Sequence, residues 1–324
     1  MSKIGWGIIG CGDVTEVKSG PGFQKANNSE LVAVMRRNDE LAKDYARRHN
    51  VPRWYDDAEK LINDPDVNAV YVATPPSNHK QYTLMAAEAG KPIYVEKPMA
   101  LNAKECSEMI EACKTAGVPL FVAYYRRALE RFLKIKELID NKTIGDIRFV
   151  NINFQDVAKE IKGEMPWRVD PKISGGGHFV DLASHMLDFL DFILGPIEKV
   201  YGVASNQTKQ YPAEDIATGS FLFQNGIHGS GTWCFSSFEK VDCTEIIGEK
   251  GKITYSTFDA EPIKLTSSNG MIEFKIDYPQ HIQQPLIQKV VDDLNGMYKC
   301  PSTGETGMRT TWVMEEMLKE YYKK

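Results

Sequence analysis

The sequence lacks the features that mark secreted, membrane and nucleic-acid-binding proteins. Its six cysteines are scattered with no C-x-x-C pair, which argues against a disulfide framework or a structural zinc site and predicts reduced thiols in a cytoplasmic protein. No apolar run is long enough to span a bilayer, and the N-terminus lacks the segments of a secretory signal. A net charge of −5 gives no electrostatic reason to expect nucleic acid or an anionic membrane as a partner. What remains is a globular chain of 324 residues, long enough for two domains.

The N-terminal residues have the pattern of a dinucleotide-binding turn. The apolar run Ile4–Ile9 predicts a buried strand, and a G-x-G turn and a helix start follow it. In such a turn the first glycine makes the bend, and the second lets the backbone approach a pyrophosphate at the helix N-terminus. The residues predicted to lie at the pyrophosphate are Gly10, Gly12, Asp13 and Val14. Thr15 replaces the third glycine and Gly20-Pro21-Gly22 interrupts the helix early, so a plain strand and turn stays an alternative.

The second strand, Leu31–Met35, ends in Arg36 and Arg37. An NAD site usually has an acidic residue here that accepts the ribose 2′-hydroxyl. Guanidinium groups instead suit a 2′-phosphate, which they bind through bidentate, charge-assisted hydrogen bonds. The pair therefore favours NADP as cofactor over NAD. The alternative is that both arginines are solvated at the start of a helix over Asp39–Asn50.

Strand and helix signals alternate with short connections as far as residue 123, which predicts a parallel, doubly wound sheet. Within it, the apolar run Ile93–Val95 leads into Glu96 and Lys97 and stops at Pro98. Ligands in open α/β sheets bind at the carboxyl ends of the strands. A lysine there can be partly desolvated and so suited to proton transfer, and the alternative is a solvated charge pair at a strand end.

In the second half, a glycine run opens a helix at His178. Asp181, His185 and Asp188 are spaced i, i+4 and i+7, so they share one face of a largely apolar helix. Three interpretations compete: helix capping with a buried structural histidine, a metal site made of His178, Asp181 and His185, and a catalytic pair. The metal interpretation ranks last because no clear complementary ligand set occurs elsewhere, so no metal is predicted.

The rest of the second half predicts one continuous helix over 124–141 and then mostly strands over 197–276. Turns at Asn225-Gly226, Lys250-Gly251 and Asn269-Gly270 indicate hairpins and a largely antiparallel sheet. Helices need cover only one face of such a sheet, and Trp233 and Phe235 are candidates for the open face.

These motifs together resemble the Gfo/Idh/MocA family of glucose–fructose oxidoreductases and inositol dehydrogenases. The resemblance covers nearly the whole chain and rests on the G-x-G turn, Thr74-Pro75-x-x-x-His79, Glu96-Lys97-Pro98, Tyr125-Arg126-Arg127, Gly175-Gly176-Gly177 and Asp181-x-x-x-His185. It implies an NAD(P)-dependent oxidoreductase of sugars, cyclitols or related polyols, with a cis Lys97–Pro98 bond and a homodimer or homotetramer formed through the open sheet face.

The resemblance also implies roles for individual residues. Lys97 would exchange the substrate proton, His185 would share or relay it, and Asp181 would orient both. Thr74, Pro75 and His79 would lie along the cofactor, Glu96 near the nicotinamide ribose, and Trp167 and Arg168 near the nicotinamide. Tyr125 and Arg127 are candidate substrate contacts.

The expected architecture is therefore a Rossmann domain over residues 1–123 and an α+β substrate domain over residues 124–324, with the substrate between them. Three alternatives to a dehydrogenase stay open: a non-catalytic dinucleotide-binding regulator, a metal-dependent hydrolase or lyase, and a hydrolase that works through transient oxidation at NAD.

Overall fold

The computed structural model describes residues 2–158 and 160–323. Within this described part of the chain, no helix combines the length and the hydropathy needed to cross a bilayer. All six cysteines are free thiols.

The chain divides into two compact units. The first comprises Met1–Leu129 and Pro279–Met308, and the second comprises Glu130–Tyr278 and Arg309–Lys324. The sequence predicts a boundary after residue 123. In the structure the first unit extends to Leu129, and residues 279–308 also belong to it. There α10 packs closely on α2. A Cβ added at Gly22 would lie only 2.8 Å from Ile287 Cδ1.

The strands are β1 (Ile4–Ile9), β2 (Ser29–Met35), β3 (Arg53–Tyr55), β4 (Ala69–Val72), β5 (Ile93–Val95), β6 (Leu120–Val122), β7 (Ile147–Val157), β8 (Ile197–Ser205), β9 (Ile216–Phe223), β10 (His228–Ser237), β11 (Val241–Gly248), β12 (Gly251–Tyr255), β13 (Ile263–Ser267) and β14 (Gly270–Phe274). The helices are α1 (Asp13–Val17), α2 (Gly20–Lys25), α3 (Asp39–Arg48), α4 (Ala58–Ile62), α5 (His79–Glu88), α6 (Ala103–Ala116), α7 (Glu130–Asp140), α8 (Pro171–Ser174), α9 (His178–Leu194), α10 (Gln284–Leu294) and α11 (Gly304–Tyr322). Three short 3₁₀ helices, Pro76–Asn78, Tyr125–Ala128 and Trp167–Val169, join them.

The first unit contains a parallel sheet of six strands in the order β3-β2-β1-β4-β5-β6. Its central strands are buried along their whole length, as in a sheet covered by helices on both faces. This confirms the predicted doubly wound fold. The parallel order also brings the carboxyl ends of β2, β1, β4 and β5 to one edge of the sheet.

The first helix of this sheet is interrupted as the sequence predicts. Helix α1 ends at Val17 and α2 begins at Gly20. Pro21 has no backbone N–H, so the carbonyl of Val17 lacks the partner that a continuous helix would give it. The break therefore leaves a hydrogen-bond acceptor at the end of α1.

The prediction of one continuous helix over 124–141 is wrong. Tyr125–Ala128 forms a 3₁₀ turn, and α7 starts only at Glu130. Leu129 between them is extended, with φ −77° and ψ 132°, and its side chain is buried. Burial of Leu129 in this conformation outweighs the helix propensity of its neighbours.

The second unit contains a sheet of eight strands in the order β14-β13-β12-β11-β7-β10-β9-β8. Only β7 and β10 pair in parallel, and each other neighbouring pair is antiparallel. Short turns close the hairpins β9–β10, β11–β12 and β13–β14 at the three predicted positions. The prediction of a largely antiparallel sheet is confirmed.

Helices α7, α9 and α11 pack on one face of this sheet. The expectation that Trp233 and Phe235 lie on the open face is wrong, because they are 0% and 5% exposed. The Trp233 ring packs 5.1 Å from Phe179 of α9. The opposite face exposes Tyr201 by 71% and Val203 by 72%. Alternation in the sequence identifies the two faces, but it does not say which one the helices cover.

Candidate active site

The glycine turn after β1 has the geometry that a bound dinucleotide needs. Gly10 has φ +90°, and both its amide and that of Cys11 donate to Met35 O at the end of β2, at 2.9 and 3.1 Å. A Cβ added to Gly12 would meet only Gly10 O, at 3.9 Å. The turn thus leaves open the space that a side chain would fill, which fits the close approach of a pyrophosphate to the backbone.

The structure explains how the turn does without a third glycine. Thr15 is fully buried, and its hydroxyl accepts from the Gly12 amide at 3.0 Å and donates to Gly12 O at 2.7 Å. A glycine is needed for close packing at Gly20, where the chain approaches α1 and α3. A Cβ there would lie 2.2 Å from Thr15 O and 2.4 Å from the Tyr45 hydroxyl oxygen.

Charged groups around the turn differ in exposure. Burial raises the pKa of the Cys11 thiol to about 11, so this side chain stays uncharged at neutral pH. Asp13 is exposed and Val14 is partly buried. Arg36 and Arg37 are both exposed, and Arg36 Nη1 lies 3.5 Å from Cys11 O. Arg36 is thus the arginine whose guanidinium lies at the glycine turn.

The turn after β4 is tied to the turns on either side of it. Gly10 approaches Thr74 so closely that an added Cβ would lie 2.7 Å from Thr74 Cγ2. His79 is fully buried, with Nε2 2.7 Å from Thr74 O and Nδ1 3.1 Å from Pro98 O. Burial lowers the pKa of His79, against the hydrogen bonds to these carbonyls. The ring therefore connects the Thr74-Pro75 turn to the segment after β5.

The residues after β5 include the candidate proton-transfer lysine. The Lys97–Pro98 peptide bond is cis, as the resemblance implies, and the Lys97 side chain is partly buried. The Glu96 carboxylate is buried and accepts from the Tyr71 hydroxyl at 2.5 Å, from Gln283 Nε2 at 2.7 Å and from the Lys97 amide at 3.0 Å. The structure gives this carboxylate an internal role, and its contact with a ribose stays a prediction. No sequence pattern had pointed to Tyr71 or Gln283.

The candidate substrate residues of the first unit lie on the 3₁₀ turn after β6. Tyr125 and Arg127 are both buried, and Arg127 Nη1 donates to Pro301 O at 3.0 Å. Their contact with substrate stays a prediction.

In the second unit, the glycine run Gly175–Gly177 precedes the helix with the acid–base candidates. The Gly177 amide donates to Glu214 Oε1 at 2.8 Å, and Glu214 Oε2 accepts from the Tyr322 hydroxyl at 2.6 Å. Burial raises the pKa of Glu214, while these two hydrogen bonds oppose the rise. The N-terminus of α9 is thus occupied by a carboxyl group of the chain itself.

The three polar residues aligned on α9 have different surroundings. Asp181 lies 3.7 Å from Arg168 Nε, and its side chain is 24% exposed. His185 is buried. Asp188 is also buried and accepts from the Thr310 hydroxyl at 3.4 Å, which ties it to α11. The three residues share one face of α9, as predicted, and Asp188 has a structural partner in Thr310 of α11.

Trp167 and Arg168 lie on the 3₁₀ turn before α8. The Arg168 guanidinium stacks over the Trp167 ring at 4.4 Å. Arg168 also approaches Asp181, so the Trp-Arg pair and the start of α9 form one cluster within the second unit.

Phe258 belongs to the same part of the second unit, although no sequence pattern singled it out. Its ring lies 6.0 Å from that of His185 and 5.4 Å from that of Phe154. Asp242 accepts from the Thr257 and Phe258 amides at 3.0 and 2.6 Å, which fixes the loop. A partly buried aromatic ring beside a candidate acid–base histidine is suited to contact the apolar face of a substrate ring.

The metal interpretation of His178, Asp181 and His185 can be compared with the geometry. Among residues 2–158 and 160–323, no group of three or more His, Cys, Asp or Glu side chains has the arrangement of a metal site. The His178 ring packs 5.5 Å from that of Phe235 and 5.8 Å from that of Tyr211.

Comparison with known proteins gives a consistent result. One family model, the oxidoreductase family with an NAD-binding Rossmann fold, matches residues 4–124, and the GFO/IDH/MocA C-terminal domain matches residues 132–254. Oxidoreductase P35 of Formosa agariphila is 43% identical over 318 residues, which are 97% of this chain and 98% of that protein. Trans-1,2-dihydrobenzene-1,2-diol dehydrogenase of Mus musculus is 30% identical over 250 residues, 76% of this chain and 72% of that enzyme.

A solved structure has the same fold. Levoglucosan dehydrogenase in complex with NADH and levoglucosan superimposes with a TM-score of 0.86 at 22% identity, covering 98% of each chain. The family models and the relatives together show an NAD(P)-dependent dehydrogenase or reductase. The chain therefore belongs to the Gfo/Idh/MocA family of oxidoreductases and has an NAD(P)-binding Rossmann domain in its N-terminal half.

Proposed function

We propose that this protein transfers a hydride between NADP(H) and a hydroxyl or keto carbon of a sugar, cyclitol or related polyol. The relatives support the substrate class, since one is named for a cyclic diol and one solved structure holds levoglucosan. Both compounds are rings with hydroxyl groups. Phe258 beside His185 suits such a ring, because an aromatic side chain can cover its apolar face.

The proposal assigns the dinucleotide to the edge of the parallel sheet. Gly10, Gly12, Asp13 and Val14 would lie at the pyrophosphate, where the open space at Gly12 supports a close backbone approach. Arg36, with Arg37 beside it, would receive a 2′-phosphate, which favours NADP. NAD is the alternative, since the levoglucosan dehydrogenase structure contains NADH.

The observation that carries the catalytic proposal is the position of Lys97, at the end of β5 and on the same sheet edge as the glycine turn. When bound, the nicotinamide supplies or accepts the hydride. The Lys97 amine takes the proton of the substrate hydroxyl in the oxidation and returns it in the reduction. His185 shares or relays this proton, and Asp181, beside Arg168, orients the acid–base groups.

The remaining assignments are positional. Thr74, Pro75, Trp167 and Arg168 line the cofactor, and His79 supports it through the carbonyl groups of Thr74 and Pro98. Tyr125 and Arg127 contact the substrate. A homodimer or homotetramer would form through the sheet face that exposes Tyr201 and Val203, and the six free thiols fit a cytoplasmic location.

The test is Lys97→Ala, with the exposed Lys60→Ala as a matched control. We expect the Lys97 variant to keep its affinity for NADPH and to lose about 10²–10⁴-fold in turnover of polyols or keto-sugars, the usual contribution of general acid–base catalysis. Binding is measured by calorimetry and turnover by NADPH absorbance. Full turnover by Lys97→Ala would refute the assignment, and tighter binding of NADH than of NADPH by the wild type would refute the cofactor preference.

A further inference from the structure

The Glu96 carboxylate is 6% exposed and sits directly before Lys97. A buried carboxylate is costly unless donors satisfy it, and hydrogen bonds to a charged acceptor are the strong ones. Glu96 has three donors: the Tyr71 hydroxyl at 2.5 Å, Gln283 Nε2 at 2.7 Å, and the amide of Lys97 itself at 3.0 Å. Tyr71 and Gln283, which are far apart in the sequence, thus bind the Glu96 carboxylate, and this carboxylate binds the Lys97 amide.

Tyr71 supplies its hydrogen bond from β4, the strand next to β5. Burial and the charge of Glu96 raise the pKa of Tyr71 well above its ordinary value, so the hydroxyl stays protonated. It is therefore a permanent donor to Glu96. Its ring stacks 5.1 Å from that of Tyr94 in a layer that also contains Trp6 and Phe23, which fixes its direction.

Gln283 reaches Glu96 because the first helix is broken. The carbonyl of Val17, which Pro21 cannot pair, accepts from His281 Nδ1 at 2.8 Å. The next carbonyl, of Lys18, accepts from the Gln283 amide at 3.1 Å. The interruption between α1 and α2 thus provides a docking point for the segment before α10.

Lys25 holds the same segment from its other side. Its ammonium lies 2.7 Å from His281 Nε2, which must then be the acceptor, while Nδ1 carries the proton donated to Val17 O. Both ring nitrogens are satisfied in the neutral tautomer. His281 therefore anchors the segment whose Gln283 side chain extends to Glu96.

We infer that Tyr71 and Gln283 are positioning residues for Lys97, acting through the Glu96 carboxylate, with the carbonyl groups at the interruption of the first helix anchoring the segment that carries Gln283. The inference rests on the proposed function, in which the Lys97 amine exchanges the substrate proton. The Glu96 carboxylate also accepts from the backbone amide of that lysine, so a shift of the carboxylate is passed to Lys97.

The experiment compares Tyr71→Phe with Tyr94→Phe. Both remove one hydroxyl from the same buried aromatic layer. The Tyr94 hydroxyl reaches Gln283 Oε1, at 3.4 Å, and not Glu96, so it touches the network only through this long hydrogen bond. Gln283→Met is a second variant, which keeps the volume of the side chain and removes the donor. Amide hydrogen exchange of the peptide containing Lys97, thermal melting, and kcat and KM are measured for each protein.

We expect exchange at the Lys97 amide to rise about tenfold in Tyr71→Phe and in Gln283→Met, and to rise much less in Tyr94→Phe, which loses only the long hydrogen bond to Gln283. We expect kcat to fall by a similar factor with KM nearly constant, since the lost positioning acts on the proton transfer and not on binding. A purely structural role would instead lower the melting temperature alike in both tyrosine variants and leave their kcat values equal.

Equal exchange at Lys97 in the two tyrosine variants would overturn the inference. So would a loss of exchange protection in Tyr71→Phe with unchanged kcat. If the wild type neither binds a dinucleotide nor turns over a polyol, the proposed function fails, and with it the catalytic meaning of the network. The exchange comparison still reports, separately, whether Tyr71 holds Glu96.

Discussion

Two glycine turns lead the chain into a helix, one in each unit. Gly10-Cys11-Gly12 precedes α1, and Gly175-Gly176-Gly177 precedes α9. Each starts in the left-handed region, with φ +90° at Gly10 and φ +84° at Gly175. In each the last glycine is extended, so its backbone conformation is open to any residue. The two turns are alike as backbones.

They differ in what faces the last glycine. A Cβ at Gly12 would meet one atom, Gly10 O, at 3.9 Å. A Cβ at Gly177 would lie 2.7 Å from Glu214 O and 2.9 Å from Ala213 Cβ. The Gly177 amide also donates to the Glu214 carboxyl, whereas the Gly12 amide bonds only locally, to the Thr15 hydroxyl.

The comparison teaches that a glycine run before a helix has two meanings. Helix N-termini favour negative groups, and the chain can supply one itself or leave the place to a ligand. At α9 the chain supplies Glu214, so its glycines serve close packing. At α1 the space is open, which suits a ligand with phosphate groups.

The largest expected effects come from placing one methyl group in each turn. We expect Gly12→Ala to raise the Kd for NADPH at least about tenfold, equivalent to about 1.4 kcal/mol, and to leave the unfolding free energy unchanged. We expect Gly177→Ala to leave that Kd unchanged and to lower the unfolding free energy by about 1–3 kcal/mol, as overpacking does. Calorimetry and urea denaturation measure the two quantities.

The two alanine variants are each other's control, because both residues have extended backbones that an alanine can adopt, and the variants differ in what the added methyl group meets. A loss of stability without a loss of affinity in Gly12→Ala would show that the first turn is packed like the second. A loss of NADPH binding in Gly177→Ala at full stability would show that the second turn also takes part in the ligand site.

Removing the cation nearest the first turn should have a smaller and more selective effect. Arg36 Nη1 lies 3.5 Å from Cys11 O, so its guanidinium is already at the turn. We expect Arg36→Ala to raise the Kd for NADPH about tenfold and that for NADH less than about twofold, because only NADPH offers a 2′-phosphate. Arg37→Ala, at the equally exposed neighbour, is the control. Equal losses for both cofactors would mean that Arg36 only supports the turn.

The first unit could be predicted well from the sequence because its signals are local. The apolar run of β1, the glycine turn and the charged pair after β5 each define a strand end, and parallel pairing then gathers the ends at one edge. Gly20-Pro21-Gly22 likewise predicts a break in the first helix, between α1 and α2. The docking of the segment before α10 could not be predicted. The carbonyl groups of Val17 and Lys18, which the break leaves without helical partners, accept hydrogen bonds from residues more than 250 positions away.

The second unit was predicted less completely because its contacts are long-range. The spacing of Asp181 and His185 gave their common face, but no pattern in the sequence connects Glu214 to Gly177 or Phe258 to His185. Strand alternation groups Trp233 with Phe235 on one face, but it does not identify the face that the helices cover, and the expectation of an open face there is wrong. The covered face depends on where α9 and α11 pack, which is a tertiary property.

The smallest expected effect concerns the carboxyl group that occupies the second turn. Burial raises the pKa of Glu214 in the folded protein above its ordinary value of 4.5. Between pH 4.5 and the raised pKa, the folded state therefore binds more protons than the unfolded state. The unfolding free energy therefore falls as pH rises through that window. Glu214→Gln cannot titrate and removes this fall, so we expect its cost in stability to be largest below pH 4.5 and smaller at neutral pH. Urea denaturation at several pH values measures the difference between the two proteins.

Tyr322→Phe is the control, because it removes one hydrogen bond and keeps the titrating carboxyl group. The pH dependence of its stability should therefore be as steep as that of the wild type or steeper. Parallel stability curves for wild type and Glu214→Gln would mean that this carboxyl group is no more protonated in the folded protein than in the unfolded chain.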